Sequence, residues 1–461
     1  MKSHILTLLT ALLLVLAAHA SPQKPNIVFI LADDLGYADL GCYGQQKIRT
    51  PNLDRMAAGG MRFTDFHAGG AVCIPSRSCL MTGLHEGHTR HHGSNNHIPL
   101  EAEDVTVAEV LHDAGYAAAC LGKWAFSDDH DGPGAPQKQG WDYYYGEPNQ
   151  TTVHSYYLPR VWEFDRDGSV TGQKPDTRLR EIPVPENANG GRKVYSHDLL
   201  AAKTLAYLDA AARKAKPFFL YLAFTIPHAT LEPPDVQPYA SEDWPEPEKK
   251  YAAMVTRLDT TVGQIFERLK KLGLDEQTIV FFASDNGPTG GDGHRPEFFH
   301  SAGPLKGIKA MLTEGGLRVP MIVRWPGRIQ SGAANDEPLA FCDFLPTAAA
   351  LAGTRAPARL DGLSFLPALL GQPQPHHEFL YWEAGTTRAV RLGYWKAIWS
   401  SKGDTTELYN LQDDLAESRN LADQNLDVVK RAKEIMQQAH TVFPGETTAK
   451  EKPKKEKKSK N

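Results

Sequence analysis

Apolar residues in this chain come in short unbroken runs rather than in alternation with polar ones: residues 26–32 (NIVFILA), 117–121 (AAACL), 217–225 (PFFLYLAFT), 278–283 (TIVFFA) and 319–324 (VPMIVR). A strand with one face in water would carry a polar residue at every second position. The runs therefore predict strands buried on both faces, as in a parallel sheet. Between them the period lengthens. Thr106 and Glu109 form a capping box that opens a helix closed by Gly115. Residues 198–214 and 249–272 carry helical spacing, the second stopped by Gly273. The alternation predicts an α/β fold, a large mainly parallel sheet flanked by helices. Beyond about residue 375 the pattern breaks into shorter strand-like pieces (YWEAGTTRAVRLGYWKAIWS) and a helix over 426–440, which predicts a small C-terminal α+β subdomain.

The runs end where polar chemistry begins. The first is followed by Asp33 and Asp34, the second reaches Lys123, the third leads to Pro227 and His228, and the fourth ends in Ser284, Asp285 and Asn286. In an open α/β sheet the carboxyl ends of the strands form the ligand-binding edge, so these sequence-distant groups are predicted to meet. Three carboxylates and one carboxamide offer only hard oxygen ligands, which suit Ca²⁺ or Mg²⁺. Zinc would recruit imidazole or thiolate. Carboxylates gathered without a cation would repel one another.

The ends of the chain change the picture of where it works. Residues 1–20 (MKSHILTLLTALLLVLAAHA) place Lys2 ahead of an apolar run and end in Ala-His-Ala, the pattern of a cleaved signal peptide. A secreted or periplasmic protein without stable membrane insertion is expected, since no other stretch is long and apolar enough to cross a bilayer. Residues 21–375 then form the catalytic domain, 376–445 the subdomain, and 446–461 a disordered lysine-rich tail. Seven lysines and two glutamates in the last twelve residues give +5, which leaves −10 on the rest of a chain whose net charge is −5. An acidic body excludes general nucleic-acid binding. There are five cysteines, an odd number, and no CxxC pair to suggest a zinc site.

One of them opens the stretch CIPSRSCLMTG, residues 73–83. Arg77 follows Cys73 by four residues, which is not the C-x₅-R spacing of thiol phosphatases. Pro75 fits the first turn of a helix, and Cys73 at a helix N-terminus is a place for a sulfate or phosphate ester.

The pattern C-x-P-S-R-x-x-x-x-T-G, carried by Cys73, Pro75, Ser76, Arg77, Thr82 and Gly83, resembles the signature of the formylglycine-dependent (type I) sulfatases of the alkaline-phosphatase-like superfamily. Further similarity runs through PNIVFILADDLGY, TPNLDRMAAGGMRFTDFHA, TVAEVLHDAGYAAACLGKW, SDNGP, LKGIKAMLTEGGLRVPMIVRWPG and ELYNLQDDLAESRNLA, about residues 25–425 in all. The resemblance implies that a formylglycine-generating maturation enzyme oxidises Cys73 to formylglycine (3-oxoalanine). The hydrated aldehyde then attacks sulfur with one hydroxyl and expels sulfate with the other. It implies that Asp33, Asp34, Asp285 and Asn286 bind the metal, Ca²⁺ ahead of Mg²⁺, together with residue 73. It further implies that Arg77 holds the hydrated aldehyde, that Lys123 and Lys309 clamp sulfate, and that His228 is the general acid. Lys306 lies near Lys309, but the GIK context favours Lys309.

The sequence departs from the family at one position. Many relatives read G-K-W-H where this chain reads Gly122-Lys123-Trp124-Ala125, so a histidine assigned to deprotonating the second hydroxyl is missing. His154, in NQTTVHSYYLP, is the nearest replacement by sequence. The aromatic stretch WDYYYGEPNQTTVHSYYLPRVW suits either a platform for sugar rings or a subdomain interface. The run HEGHTRHHGSNNH, with His85, His88, His91, His92 and His97, invites a second metal but fits pocket lining or solvent better. The implied substrate is a sulfated carbohydrate or a smaller sulfate ester. A formylglycine-dependent phosphodiester or phosphonate hydrolase and a non-catalytic sulfoglycan-binding protein are the other readings.

Overall fold

The computed structural model describes residues 24–93, 98–127, 129–150 and 152–442. The expected leader 1–20, the tail 446–461 and His97 lie outside the described residues. Ten strands form one mixed sheet, and five of them, Thr278–Ser284, Asn26–Ala32, Phe218–Ala223, Ala117–Lys123 and Tyr143–Glu147, run parallel at its centre in that order. The strands next to these on either side are antiparallel, while at one outer edge Ala333–Asn335 pairs parallel with Met61–Phe63. Met321–Arg324 pairs antiparallel with Thr278–Ser284, and Arg160–Asp165 pairs antiparallel with Tyr143–Glu147. Met321–Arg324 is apolar like the central strands because helices cover both faces there too, so its composition carries no information about direction.

Alternate residues of each central strand feed two cores. Ile27, Phe29 and Leu31 pack with Ile74, Leu80, Leu111 and Phe344, which belong to helices Cys73–Thr82, Val107–Asp113 and Phe344–Leu351. Val28, Ile30 and Ala32 pack with Leu208, Val255, Leu258 and Val262 from helices Ser196–Ala211 and Glu246–Lys271. Each Leu, Ile or Phe buried this way contributes about 1.5–3 kcal/mol, which explains why strands with no polar face are stable only between two helical layers. The helix opened by Thr106 forms with both bonds of the capping box, and Gly115 behind it takes φ +90°. Among the described residues, no helix is long and apolar enough to cross a membrane.

Register positions the functional edge. Ala32 lies opposite Ser284 and Leu31 opposite Ala223, so three adjacent strands end at one level. Gly122, at φ +112°, brings the next strand to that edge, where a Cβ would stand 2.1 Å from the Ala223 carbonyl oxygen. The C-terminal part is a four-stranded antiparallel sheet, Leu380–Ala384 to Thr405–Asn410, with helix Leu426–Gln438 packed on it through Ala432, Ile435 and Met436.

Candidate functional site

Cys73 is the first residue of helix Cys73–Thr82, every residue of which is buried. Arg77 lies one turn on, on the same face as Cys73. Its guanidinium donates from Nε to Asp285 Oδ2 at 2.9 Å, pairs with it again through Nη2 at 2.8 Å, and reaches Asp33 Oδ2 at 3.4 Å. Lys123, at the end of its strand, donates to Asp33 Oδ2 at 2.8 Å. Lys309 donates to both oxygens of Asp34 at 2.7 and 2.9 Å. Asn286 donates to Asp34 Oδ1 at 2.7 Å, and the Asp34 amide donates to Asp285 Oδ1 at 3.1 Å. Asp34 itself sits at φ +67°, a left-handed conformation that Asp tolerates better than most residues.

The cluster behaves as a cation site would. Asp33 Oδ1 and Asn286 Oδ1 are buried and without a hydrogen-bond partner, a costly state for an oxygen out of water. Ligand atoms of Asp33, Cys73 and Asp285 lie within 4.8 Å of one another. Burial pushes the Asp33 carboxyl up, but the Lys123 ammonium and the Arg77 guanidinium outweigh it and hold the group well below the usual carboxylate range. Burial, with the Asp33 charge beside it, pushes Asp285 up to about 6 despite Arg77. That is the self-repulsion of carboxylates sharing a dry pocket, and a hard cation on the two orphaned oxygens relieves it. The donor set of Asp33, Asp34, Asp285 and Asn286 therefore fits an ion such as Ca²⁺. Without one, three carboxylates already face the cations of Arg77, Lys123 and Lys309, so a bound divalent ion leaves the pocket with surplus positive charge suited to an anion.

Two histidines close the other side. His154 Nε2 lies 3.0 Å from Lys123 Nζ and 3.6 Å from Asp33 Oδ2. His228 Nε2 lies 3.4 Å from Asp34 Oδ2, and the two imidazoles stack at 3.7 Å with 6° between their planes. Burial and the Lys123 charge hold His154 down at about 4, so the ring is neutral near pH 7 and its Nε2 accepts from Lys123. Tyr156, whose hydroxyl donates to the Thr225 carbonyl at 2.8 Å, ties the loop of His154 to the loop of His228. Ala125, at φ +67°, points no imidazole into this space.

The structure thus brings together Asp33, Asp34, Cys73, Arg77, Lys123, His154, His228, Asp285, Asn286 and Lys309. Lys306 turns away to the Glu417 carbonyl. One neighbour of Cys73 was not foreseen: Gln150 Nε2 lies 3.4 Å from Cys73 Sγ, while Gln150 Oε1 is buried without a partner. Its only signal in the sequence was a polar residue just past a strand's carboxyl end. The sugar-platform expectation fails for most of the aromatic stretch, because Trp141, Tyr143, Tyr144, Tyr145 and Tyr156 are buried in the two cores. His85 and His88 gather at Asp361, with ligand atoms within 4.8 Å of one another, and their rings stack at 4.1 Å and 24°; both imidazoles already turn to the Asp361 carboxylate, His88 Nδ1 at 2.9 Å. All five cysteines are free thiols.

Comparison with known proteins gives the same chemistry a wider setting. Residues 25–354 match the family model described as Sulfatase, and residues 308–441 match one described as N-sulphoglucosamine sulphohydrolase, C-terminal. The chain is 36% identical to human arylsulfatase A over 426 residues, covering 86% of this chain and 80% of that one. It is 34% identical to the N-acetylgalactosamine-6-sulfatase of Canis lupus familiaris, over 83% of this chain and 73% of the relative. Among solved structures, Ps i-CgsB in complex with k-i-k-neocarrahexaose superposes with a TM-score of 0.75 at 29% identity, over 90% of this chain and 93% of that one.

Proposed function

Since this chain belongs to the sulfatase family and is a sulfuric ester hydrolase, we propose that it removes sulfate from a sulfated carbohydrate, using a formylglycine made from Cys73 and a bound Ca²⁺. The observation that carries this reading is the pair of orphaned, buried oxygens on Asp33 and Asn286, beside Asp285 and the first residue of a buried helix. Formylglycine, as its hydrate, supplies two hydroxyls on one carbon, a nucleophile and a route for expelling sulfate, while the ion supplies charge that favours the ionised hydroxyl.

The chain's own residues supply the rest. Arg77 Nη1 is buried without a hydrogen-bond partner and is a donor free to hold an oxygen at position 73. Lys123 and Lys309 hold the sulfate oxygens as point charges in a site nearly closed to water, where such contacts are strong. His228 Nε2 gives a proton to the departing alcohol. His154, neutral and stacked on His228, takes the place of the histidine missing at Ala125: once Lys123 turns from it to the sulfate, its Nε2 lone pair accepts the proton of the second hydroxyl. Gln150 steadies residue 73 from the other side.

Support for a carbohydrate substrate comes from the relatives: one is named an N-acetylgalactosamine-6-sulfatase, and one structural neighbour holds a neocarrahexaose. On the same reading the chain is exported, secreted or periplasmic, and matured by a formylglycine-generating enzyme. The test is sulfate release from a panel of sulfated mono- and oligosaccharides, with aryl sulfate, phosphodiester and phosphonate ester controls. Release from sulfated sugars supports the proposal. Phosphonate or phosphodiester hydrolysis without sulfate release, or sugar binding without turnover, overturns it.

A further inference from the structure

We propose that the C-terminal subdomain positions Lys309 through the buried ion triad of Lys396 with Glu314 and Glu417. The inference rests on the reading of Lys309 as a sulfate-binding residue. Lys309 lies in a segment, residues 306–317, that is tied to the site by backbone bonds and by contacts too close for side chains. The Lys309 amide donates to the Pro288 carbonyl at 2.9 Å, and the Ala310 amide donates to the Ala71 carbonyl, two residues before Cys73, at 2.8 Å. The Gly315 amide donates to the Lys306 carbonyl at 2.7 Å. A Cβ on Gly287, next to Asn286, would stand 1.9 Å from the Gly315 carbonyl oxygen. The segment, the residues after the metal-binding pair and the residues before Cys73 therefore move as one piece.

What fixes that piece from outside is Glu314. Its side chain accepts from Lys396 Nζ at 2.8 Å through Oε1 and lies 3.1 Å from His67 Nε2 through Oε2. Its backbone amide donates to Glu417 Oε2 at 2.7 Å, and Glu417 Oε1 pairs with Lys396 at 3.2 Å. Lys306 adds a bond to the Glu417 carbonyl at 3.0 Å. Lys396 belongs to strand Trp395–Ser400 and Glu417 to the loop after strand Thr405–Asn410, so both partners come from the C-terminal subdomain. The side chains of Lys396, Glu314 and Glu417 are wholly buried.

A triad of this kind is a poor source of stability, because apolar side chains of equal volume commonly do as well. What it adds is direction. Two charged groups with fixed bond vectors, Lys396 and Glu417, hold Glu314, and with it the segment of Lys309, at one position against the sheet of the subdomain. Glu417 makes these contacts from a left-handed conformation, φ +48°, which is strained for a residue with a Cβ. The Lys309 ammonium, anchored at Asp34, inherits that position.

The experiment is a double-mutant cycle on kcat/KM for sulfate release, with Lys309→Ala, Lys396→Met and the two combined, each checked by melting temperature. Lys396→Met is expected to lower kcat/KM by about 10- to 100-fold, the effect of an ångström-scale displacement of a binding group. In the Lys309→Ala background it should cost less than about twofold, because the group it positions is already gone. Should Lys396→Met not fold, Glu417→Gln, which keeps the size and an acceptor, is read in the same cycle. Losses that multiply in the combined variant overturn the inference, as does a Lys396→Met enzyme with parental kcat/KM. A parent protein with no sulfate release at all instead overturns the function proposed for the site.

Discussion

Replacing His154 by alanine separates this chain's chemistry from that of relatives with a histidine after the G-K-W sequence. The ring touches three things: the Lys123 ammonium at 3.0 Å, the Asp33 carboxylate at 3.6 Å and the face of His228 at 3.7 Å. Loss of the stack costs about 0.5–1.5 kcal/mol of stability. For a chain of this size that lowers Tm by at most about 4 °C, so the variant should fold. Loss of a positioned base costs about 10²–10⁴-fold in rate, equivalent to about 3–5 kcal/mol of barrier. The two effects differ in kind and are read separately. With a chromogenic aryl sulfate, stopped-flow should show one equivalent of alcohol released at nearly the parental rate, followed by a steady state slower by the factor above. Imidazole added to the variant should recover part of the slow phase, because only 19% of the His154 side chain is exposed and its removal leaves an enclosed space. A kcat within about twofold of the parent would remove His154 from the chemistry. A loss that falls equally on the first turnover would assign it to holding Lys123 instead.

Chelation with EGTA should lower Tm and abolish activity, and CaCl₂ should restore both where ZnCl₂ does not. At a hundredfold excess of ion over Kd the stabilisation is about 2.7 kcal/mol, and Asn286→Ala should reduce it. Gln150→Leu removes the amide beside residue 73 and should lower kcat about 10-fold, the value of one hydrogen bond to a charged group, with Tm unchanged. Glu314 gives a stability prediction. Burial pushes its carboxyl up but the Lys396 ammonium outweighs it, so the folded value lies well below the ordinary 4.5. The unfolded chain then takes up the proton first as pH falls. The contribution of this group is complete above about pH 4.5 and is lost below it as pH falls through the folded value. Urea midpoints measured across that acid range should fall for the parent and fall less steeply for Glu314→Gln.

The central strands were legible because burial on both faces leaves no polar residue in a run such as NIVFILA, and the residues at their ends followed from that. Asp33, Asp34, Asp285 and Asn286 needed only two adjacent strands to meet. Lys309 and Lys306 could not be separated by spacing, since the choice depends on a turn with Gly307 and Ala310 both at positive φ. His154 and Gln150 depend on a loop crossing from the strand Tyr143–Glu147 to the face of His228, a path set by the Tyr156 bond and not by local pattern. The direction of Met321–Arg324 was hidden for the same reason the central strands were clear: its apolar residues Met321, Ile322 and Val323 are buried just as theirs are. The aromatic stretch left two roles open because tyrosine serves a core as readily as a surface, and only the position of the strand inside the sheet decides. The triad of Lys396, Glu314 and Glu417 left no trace, because three isolated charges in sequence read as surface until the two domains are packed.

Residue 73 itself carries the central claim. Protein purified from a host with an active formylglycine-generating enzyme is digested with trypsin, and the peptide ending at Arg77 is weighed and treated with a hydrazine probe. Oxoalanine at position 73, reactive toward the probe and present in proportion to specific activity, is the predicted result. Full activity from protein whose residue 73 is an unmodified cysteine would contradict it.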